Sequence, residues 1–222
     1  MKTFQKDKNP IALENNIEIN KPEDYFKEEV KDMFNLTIEM LSLSRQAFKK
    51  LNRENLSESL NYGKQIHNKE KKLTNNLVIQ LTNNKELFYK LQGIDLIPSH
   101  LERIGDNIEL LIRCTTKIID DGICFSDKAI KEINTLFEIT VEIIKSTRDA
   151  SITQNEVLIN HIKQENNKFQ EMVAEFSLWH YDRLIEGVCM PKSSSAYLAL
   201  LDYLSEILKH VRLITQRIKS QN

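Results

Sequence analysis

Glycine and proline are scarce in this chain, which has 5 Gly and 4 Pro among 222 residues. Together they are about 4% of the sequence, against roughly 12% in ordinary globular proteins. β-Sandwiches and barrels need a turn every 8–12 residues or so, and turns depend largely on these two residue types. Stretches of about thirty residues here contain neither. The sequence therefore excludes all-β folds, disfavours α/β folds and favours an all-α fold.

Charge and hydropathy indicate where such a protein is found and which partners it does not bind. Hydrophobic residues make up 41% of the chain and charged residues 28%, so it can bury a core. The longest apolar run, 196–201, is far shorter than the roughly 18 residues of a membrane span, and no signal-peptide pattern opens the chain. The formal net charge of −1 gives no attraction to nucleic acid or anionic lipid. We expect a cytoplasmic protein with no membrane insertion and no nucleic-acid partner.

Apolar residues recur at the spacing of one helix face along nearly the whole chain. This pattern predicts six long helices, preceded by a flexible arm at residues 1–20. The first begins near residue 22, the second runs from about 55 to 81, and the third begins after Asn84 and ends at Gly122. The fourth follows Ser126, the fifth begins at the capping box 153–156, and the sixth runs from about 192 to 218. Pro98 falls inside the third helix, where it predicts a kink or a later start.

The six helices form a repeat. A shift of about 103 positions pairs polar as well as apolar residues of the first and fourth helices, among them Glu39 with Glu142 and Arg45 with Arg148. The same shift matches the third helix with the sixth, whereas the middle helices fit better near a shift of 96. Heptad patterns alone do not explain identities between polar residues. We predict two tandem three-helix bundles, residues 21–122 and 123–222, packed as one body.

The stretch Leu101-Glu102-Arg103-Ile104-Gly105-Asp106 carries the clearest chemistry. Glu102 and Asp106 are four residues apart, so their carboxylates project from the same helix face and are suited to a hard or borderline divalent cation. Such a spacing also arises by chance, and ordinary surface acids remain the alternative. Gly105 in a helix interior costs about 1 kcal/mol relative to Ala, which suggests a close backbone approach or room for a ligand.

This motif, together with the repeat over about residues 21–219, resembles the PhoU phosphate-signalling family. The turn Glu186-Gly187-Val188-Cys189-Met190-Pro191 is most similar to the soluble PhoU domains associated with bacterial sodium/phosphate cotransporters. The resemblance implies two three-helix repeats, each with a motif of two acids that holds iron, zinc or another metal. It also implies regulation of phosphate uptake through contact with a sodium/phosphate cotransporter, an ABC phosphate transporter or a sensor kinase complex. The chain would act alone or as the end of a longer protein.

The second half departs from that pattern. The shift of 103 places Ser205 opposite Glu102 and Lys209 opposite Asp106, so we expect this half to hold no metal in the same way. Asp202 and Glu206, also four apart, are the substitutes we consider. Glu70 and Glu165 on the middle helices are further candidate ligands, with exposed surface acids the alternative.

No sequence motif supports an enzyme. The chain lacks the phosphate-binding loop, the nucleophile elbow and the H-E-x-x-H zinc motif, and no histidine has the acid three residues earlier that ferritin-like sites use. Cys114, Cys124 and Cys189 lack C-x-x-C spacing and are read as ordinary thiols. We therefore predict a regulator that acts by protein contact, with a structural helical adaptor or homo-oligomer without metal as the alternative, and a ferritin-like metal-storage enzyme third.

Overall fold

The computed structural model describes residues 22–83 and 85–219, and all the regular structure in those ranges is helical. The all-α prediction is confirmed. The helices of the described ranges are α1 (Pro22–Lys50), α2 (Arg53–Asn83), α3 (Lys85–Leu91), α4 (Ile97–Asp120), α5 (Asp127–Thr153), α6 (Glu156–Ile185) and α7 (Pro191–Lys219). None of these helices is both long enough and apolar enough to cross a bilayer. The predicted arm at 1–20 lies outside the described residues.

The predicted third helix is divided into α3 and α4. A turn that includes Gly93, at φ +95°, separates them, and α4 then begins with Pro98 in its first turn. Proline is tolerated there because the first amides of a helix have no intrahelical acceptor. Pro98 therefore marks a later helix start and not a kink within a longer helix.

The other helix boundaries follow local chemistry. Ser126 caps α5, and its hydroxyl accepts from the amide of Ala129, as predicted. The cap of α6 is Asn155, whose side chain accepts from two amides. The predicted capping box 153–156 is therefore wrong, because Thr153 still belongs to α5 and Glu156 is the first residue of α6 and not the third. Gly122, at φ +59°, follows the end of α4 as predicted, since glycine adopts this left-handed conformation without strain.

One hydrophobic core joins all the long helices. α1, α2 and α4 pack against one another, as do α5, α6 and α7, while α1 contacts α5 and α4 contacts α7. The largest fully buried side chains include Phe34 of α1, Leu101 of α4, Phe137 of α5 and Tyr197 of α7. The contacts of α1 with α5 and of α4 with α7 therefore hold the two groups of helices together.

The burial pattern repeats at 103 residues along every long helix. Buried positions on α2 and α6 correspond at this shift: Leu56 with Ile159, Ser59 with Ile162, Ile66 with Phe169, and Leu77 with His180. The shift of 96 for the middle helices is therefore wrong, because apolar identity was too sparse there to fix the alignment. The division into homologous repeats at residue 122 stays a prediction, since burial does not test common origin.

Candidate functional site

α4 places its acids beside a buried stripe. Leu101, Ile104 and Ile108 are buried completely, so the neighbouring face, with Glu102 and Asp106, lies at the edge of the core and faces α2. Gly105 is buried between these acids, and a Cβ atom added there would lie 3.7 Å from Cγ2 of Ile66. That is an ordinary contact distance, so the backbone approach is not close. The absent side chain instead leaves space beside the two acids.

That space belongs to a cleft between α2 and α4, which we call the α2–α4 cleft. It has a volume of about 460 Å³ and is lined by Gly63, Lys64, Ile66, His67, Asn68, Glu102, Gly105, Asp106 and Glu109. A Cβ atom on Gly63 would lie 2.9 Å from Cε of Met40 and 3.0 Å from Oε1 of Glu109, so a glycine at this position lets both side chains pack closely against α2. The structure thus brings together both predicted acids and adds two groups that were not predicted, His67 and Glu109.

Each acid of the cleft has a basic neighbour. Oε1 of Glu102 lies 3.2 Å from Nδ1 of His67 across the cleft. Asp106 and Glu109 pair with arginines of α4 itself, Arg103 at 3.5 Å and Arg113 at 3.6 Å. The two arginine pairs are longer than ordinary hydrogen bonds, and every basic partner is an exposed side chain, so the pairs contribute little to stability. The carboxylates are therefore accessible, and a ligand would have to displace only weak partners.

The donor chemistry of the cleft fits a divalent cation in part. Carboxylate oxygens and an imidazole nitrogen are the ligands that zinc and iron take from proteins. Within residues 22–83 and 85–219, however, no three His, Cys, Asp or Glu side chains converge closely enough to hold one ion. Glu102 and Asp106 would thus need water, or a rotation of His67, to complete a coordination shell.

The four other candidate ligands lie away from this cleft. Glu70 accepts a hydrogen bond from Thr74 on its own helix at 2.9 Å, and Glu165 pairs with Lys168 at 2.8 Å beside a cleft between α5 and α6. Glu206 pairs with a lysine of α7, and Asp202 is exposed on α7. Neither Glu70 nor Glu165 lines the α2–α4 cleft, and their local contacts are those of ordinary surface acids, the alternative given above; a role for either as a metal ligand stays a prediction.

A second cleft, the α6–α7 cleft, occupies the matching place in the other half of the chain. Its volume is about 210 Å³, and it is lined by Asn166, Asn167, Gln170, Ser205, Glu206, Leu208, Lys209 and Arg212. Ser205 and Lys209 therefore stand where Glu102 and Asp106 stand in the first cleft. Nζ of Lys209 lies 2.9 Å from a carboxylate oxygen of Glu206 one turn earlier on α7.

A buried polar network joins α5, α6 and α7, and sequence analysis did not find it. The guanidinium of Arg183 donates two hydrogen bonds, of 2.9 and 2.7 Å, to the carboxylate of Glu132. The hydroxyl of Tyr197 donates a third, of 2.6 Å, to the same carboxylate. Burial, together with this bond, raises the pKa of the Tyr197 hydroxyl. All three side chains are buried, so the network holds the helices together and is not an open site.

Comparison with known proteins locates the chain among its relatives. The family model described as "PhoU domain" matches residues 30–114. PhoU from Pseudomonas aeruginosa superimposes with a TM-score of 0.82 at 16% identity, over 89% of this chain and 95% of that one. The phosphate transport system regulatory protein PhoU from Streptococcus pneumoniae gives a TM-score of 0.75 at 14% identity, over 89% and 93%. At these identities the superpositions establish the fold.

A curated relative has a different name. The "Probable DNA-directed RNA polymerase" of Agaricus bitorquis is 21% identical over 175 residues, or 76% of this chain. The chain spans 16% of the length of that protein. So small a share of a longer protein transfers no activity to this chain. The earlier resemblance to PhoU is confirmed by the domain match and by the fold.

Proposed function

We propose that this chain, which contains a PhoU domain at residues 30–114 and has the PhoU fold along most of its length, regulates phosphate uptake and phosphate homeostasis. The observation that supports this role is the superposition of 89% of this chain on 95% of PhoU from Pseudomonas aeruginosa. A regulator of this kind acts by binding another protein, which agrees with the lack of catalytic motifs in the sequence. The proposal places the chain in the cytoplasm.

The proposed partner is a phosphate transporter of the sodium/phosphate or ABC type, or its sensor kinase complex. Apolar side chains at the end of α6 and in the turn before α7 support a protein contact there. Ile185 is 85% exposed, Val188 60% and Met190 62%, and grouped exposed apolar residues are typical of interaction surfaces. This surface is the one that we propose to test.

Phosphate uptake in the source organism tests the role. Deleting the gene should remove the repression of uptake by excess phosphate, and the wild-type gene should restore it. Dependence of the derepressed uptake on sodium would assign the partner as a cotransporter, and independence would assign an ABC transporter. The variant Ile185→Ser/Met190→Ser should fail to restore repression, whereas Val157→Ser, which changes an equally exposed residue at the other end of α6, should restore it. Unaltered regulation in the deletion strain would contradict the proposal.

We further propose that Glu102 and Asp106 bind a divalent cation, iron or zinc, with water completing the coordination shell. Their place in one open cleft with His67 supports this. Purified Glu102→Ala/Asp106→Ala protein should lose the metal that wild-type protein retains. Uptake should weaken as the pH falls toward about 4, because carboxylate ligands must be deprotonated. The matched control is Glu171→Ala/Glu175→Ala, which removes two exposed acids one turn apart on α6.

The same reasoning confines the cation to the first half of the chain. Lys209 repels a cation in the place where Asp106 attracts one, so the α6–α7 cleft should bind none. Ser205→Glu/Lys209→Asp should raise the metal content if Asn166 and Gln170, which line the same cleft, leave room for the ion. Equal metal content in both halves of the unaltered protein would refute the alignment of α4 with α7. Wild-type protein without metal would leave Glu102 and Asp106 as ordinary surface acids and would contradict the metal proposal alone, because the uptake experiment tests the regulatory role separately.

A further inference from the structure

The α6–α7 cleft has the opposite charge to the α2–α4 cleft at equivalent positions. The shift of 103 exchanges Glu102 for Ser205, Asp106 for Lys209, and Glu109 for Arg212. On the facing helix it exchanges Lys64 and His67 for the uncharged amides Asn167 and Gln170. Three carboxylates are thus replaced by one hydroxyl and two cations. The equivalent place in the second half therefore carries the charge that suits an anion.

The cations of this cleft have spare binding capacity. Arg212 is exposed and makes no ion pair among the residues that the structure describes, so its five N–H donors are available as a planar fork. Lys209 has one acidic partner, Glu206, and an ammonium carries three donors. With Glu206 included, the charged groups that line the cleft sum to +1. Net positive charge and free donors are what an oxyanion requires.

Two side-chain amides of α6 offer hydrogen-bond donors to the cleft, whereas the serine of α7 offers none. Asn167 and Gln170 are exposed side-chain amides on α6, and each carries two N–H donors. The hydroxyl of Ser205 is already donated to the carbonyl of Leu201 at 2.9 Å, so it offers no donor to a ligand. Donors therefore face the space from α6 and from α7, across the width of the cleft.

We propose that the α6–α7 cleft binds a small oxyanion of the phosphate or sulfate type, held by Arg212 and Lys209 and by the amides of Asn167 and Gln170. The volume of about 210 Å³ equals roughly seven water molecules at about 30 Å³ each, which accommodates a five-atom anion with part of its hydration. A concave space of this size favours a small ligand over an extended surface. The inference does not depend on a metal in the first cleft.

Glu206 is the group that opposes this binding. Its carboxylate competes for Lys209, so an anion has to displace it or share the ammonium with it. Removing the acid should therefore strengthen binding, whereas removing either cation should weaken it. Opposite effects from neighbouring substitutions separate a specific site from loss of folding, because unfolding would only weaken binding.

Isothermal titration calorimetry of the full chain with inorganic phosphate, at constant ionic strength, tests the proposal. Arg212→Gln should weaken binding by about tenfold or more, since hydrogen bonds to charged groups are worth roughly 1.5–3 kcal/mol. Glu206→Gln should tighten it several-fold. The control is Arg53→Gln. It removes an exposed arginine at the start of α2, which pairs with Asp120 of α4, and it should leave the phosphate affinity unchanged. Circular dichroism confirms that each variant is folded.

A parallel titration with glycerol phosphate identifies the source of the anion. Binding of both ligands, weakened by Arg212→Gln, supports a site for phosphate groups in general, and binding of inorganic phosphate alone supports a site for the free ion. Absence of saturable binding by either ligand overturns the proposal. So does equal affinity of the wild type, Arg212→Gln and Glu206→Gln, because phosphate would then bind elsewhere on the chain.

Discussion

Removing the carboxylate of Glu132 should destabilise this protein strongly. Glu132 accepts three hydrogen bonds of 2.6–2.9 Å, two from Arg183 and one from Tyr197. The side chains of the ion pair are only 8% and 5% exposed. In Glu132→Ala a buried guanidinium loses its counter-charge and a buried phenol loses this acceptor. Breaking a buried pair in this way costs about 3–5 kcal/mol.

Urea unfolding followed by circular dichroism measures the cost directly. Among the residues that the structure describes, Nε of Arg183 already has no hydrogen-bond partner, so losing the carboxylate leaves still more of this buried guanidinium unpaired. Glu132→Gln should cost less than Glu132→Ala, since the amide oxygen still accepts from Tyr197 or Arg183. The control is Glu138→Ala on the same helix, whose partner is Arg45 and whose side chain is 57% exposed.

The control should cost at most about 1 kcal/mol, as surface ion pairs do. The double variant Glu132→Leu/Arg183→Met should be more stable than the sum of its single variants implies, because it leaves no unpaired buried charge. Unfolding slopes should stay unchanged if the denatured state is the same. If Glu132→Ala costs no more than Glu138→Ala, the network is not the stabilising feature that its geometry indicates.

The remaining predictions concern Gly105, the histidine pair His100 and His210, and the cysteines. Gly105→Ala should raise the free energy of unfolding by about 1 kcal/mol, since helix propensity improves and the added carbon lies 3.7 Å from its nearest neighbour; destabilisation in urea would contradict this. Burial lowers the pKa of both His100 and His210, so the unfolded chain binds more protons as the pH falls below about 6.5, and stability is lost there. The free energy of unfolding of His100→Asn/His210→Asn should therefore fall less steeply than that of the wild type between about pH 6.5 and the lower folded pKa values. Equal slopes in the two proteins would show that these histidines are not the cause. Burial raises the pKa of Cys114 to about 11, so a thiol reagent at neutral pH should label exposed Cys124 first, and mass spectrometry of the labelled chain would show the order.

The sequence predicted the helices well because their signals are local. Apolar spacing and the Ser126 cap depend on residues within one or two turns, and both agree with the structure. Pro98 was ambiguous because a proline is compatible with a kink and with a first turn. The middle helices were misaligned because α2 buries a serine and a glycine at positions where α6 buries Ile162 and Asn166, so residue identity conceals the common burial.

The site was predicted only in part, because clefts are made by residues far apart in the sequence. Glu102 and Asp106 share one helix face, and Glu109 continues that face at the next turn, a signal that was available in the spacing. His67 carried no signal, since its contact with Glu102 joins residues 35 positions apart. The same holds for Glu132 and Arg183, which are 51 positions apart. Pairing across helices becomes visible only when the packing fixes which faces meet.

The 103-residue periodicity of burial makes this one sequence a comparison of two solutions to the same packing problem. Several core positions of α1 and α5 hold the same residue at this shift, as in Phe34 and Phe137 or Thr37 and Thr140, all of which are buried. Positions lining the clefts changed sign of charge, as in Asp106 and Lys209, which are both exposed. Electrostatic character is therefore separable from architecture in this fold. Exchanging a few surface residues between the two clefts should transplant ligand preference while leaving the folding free energy nearly untouched.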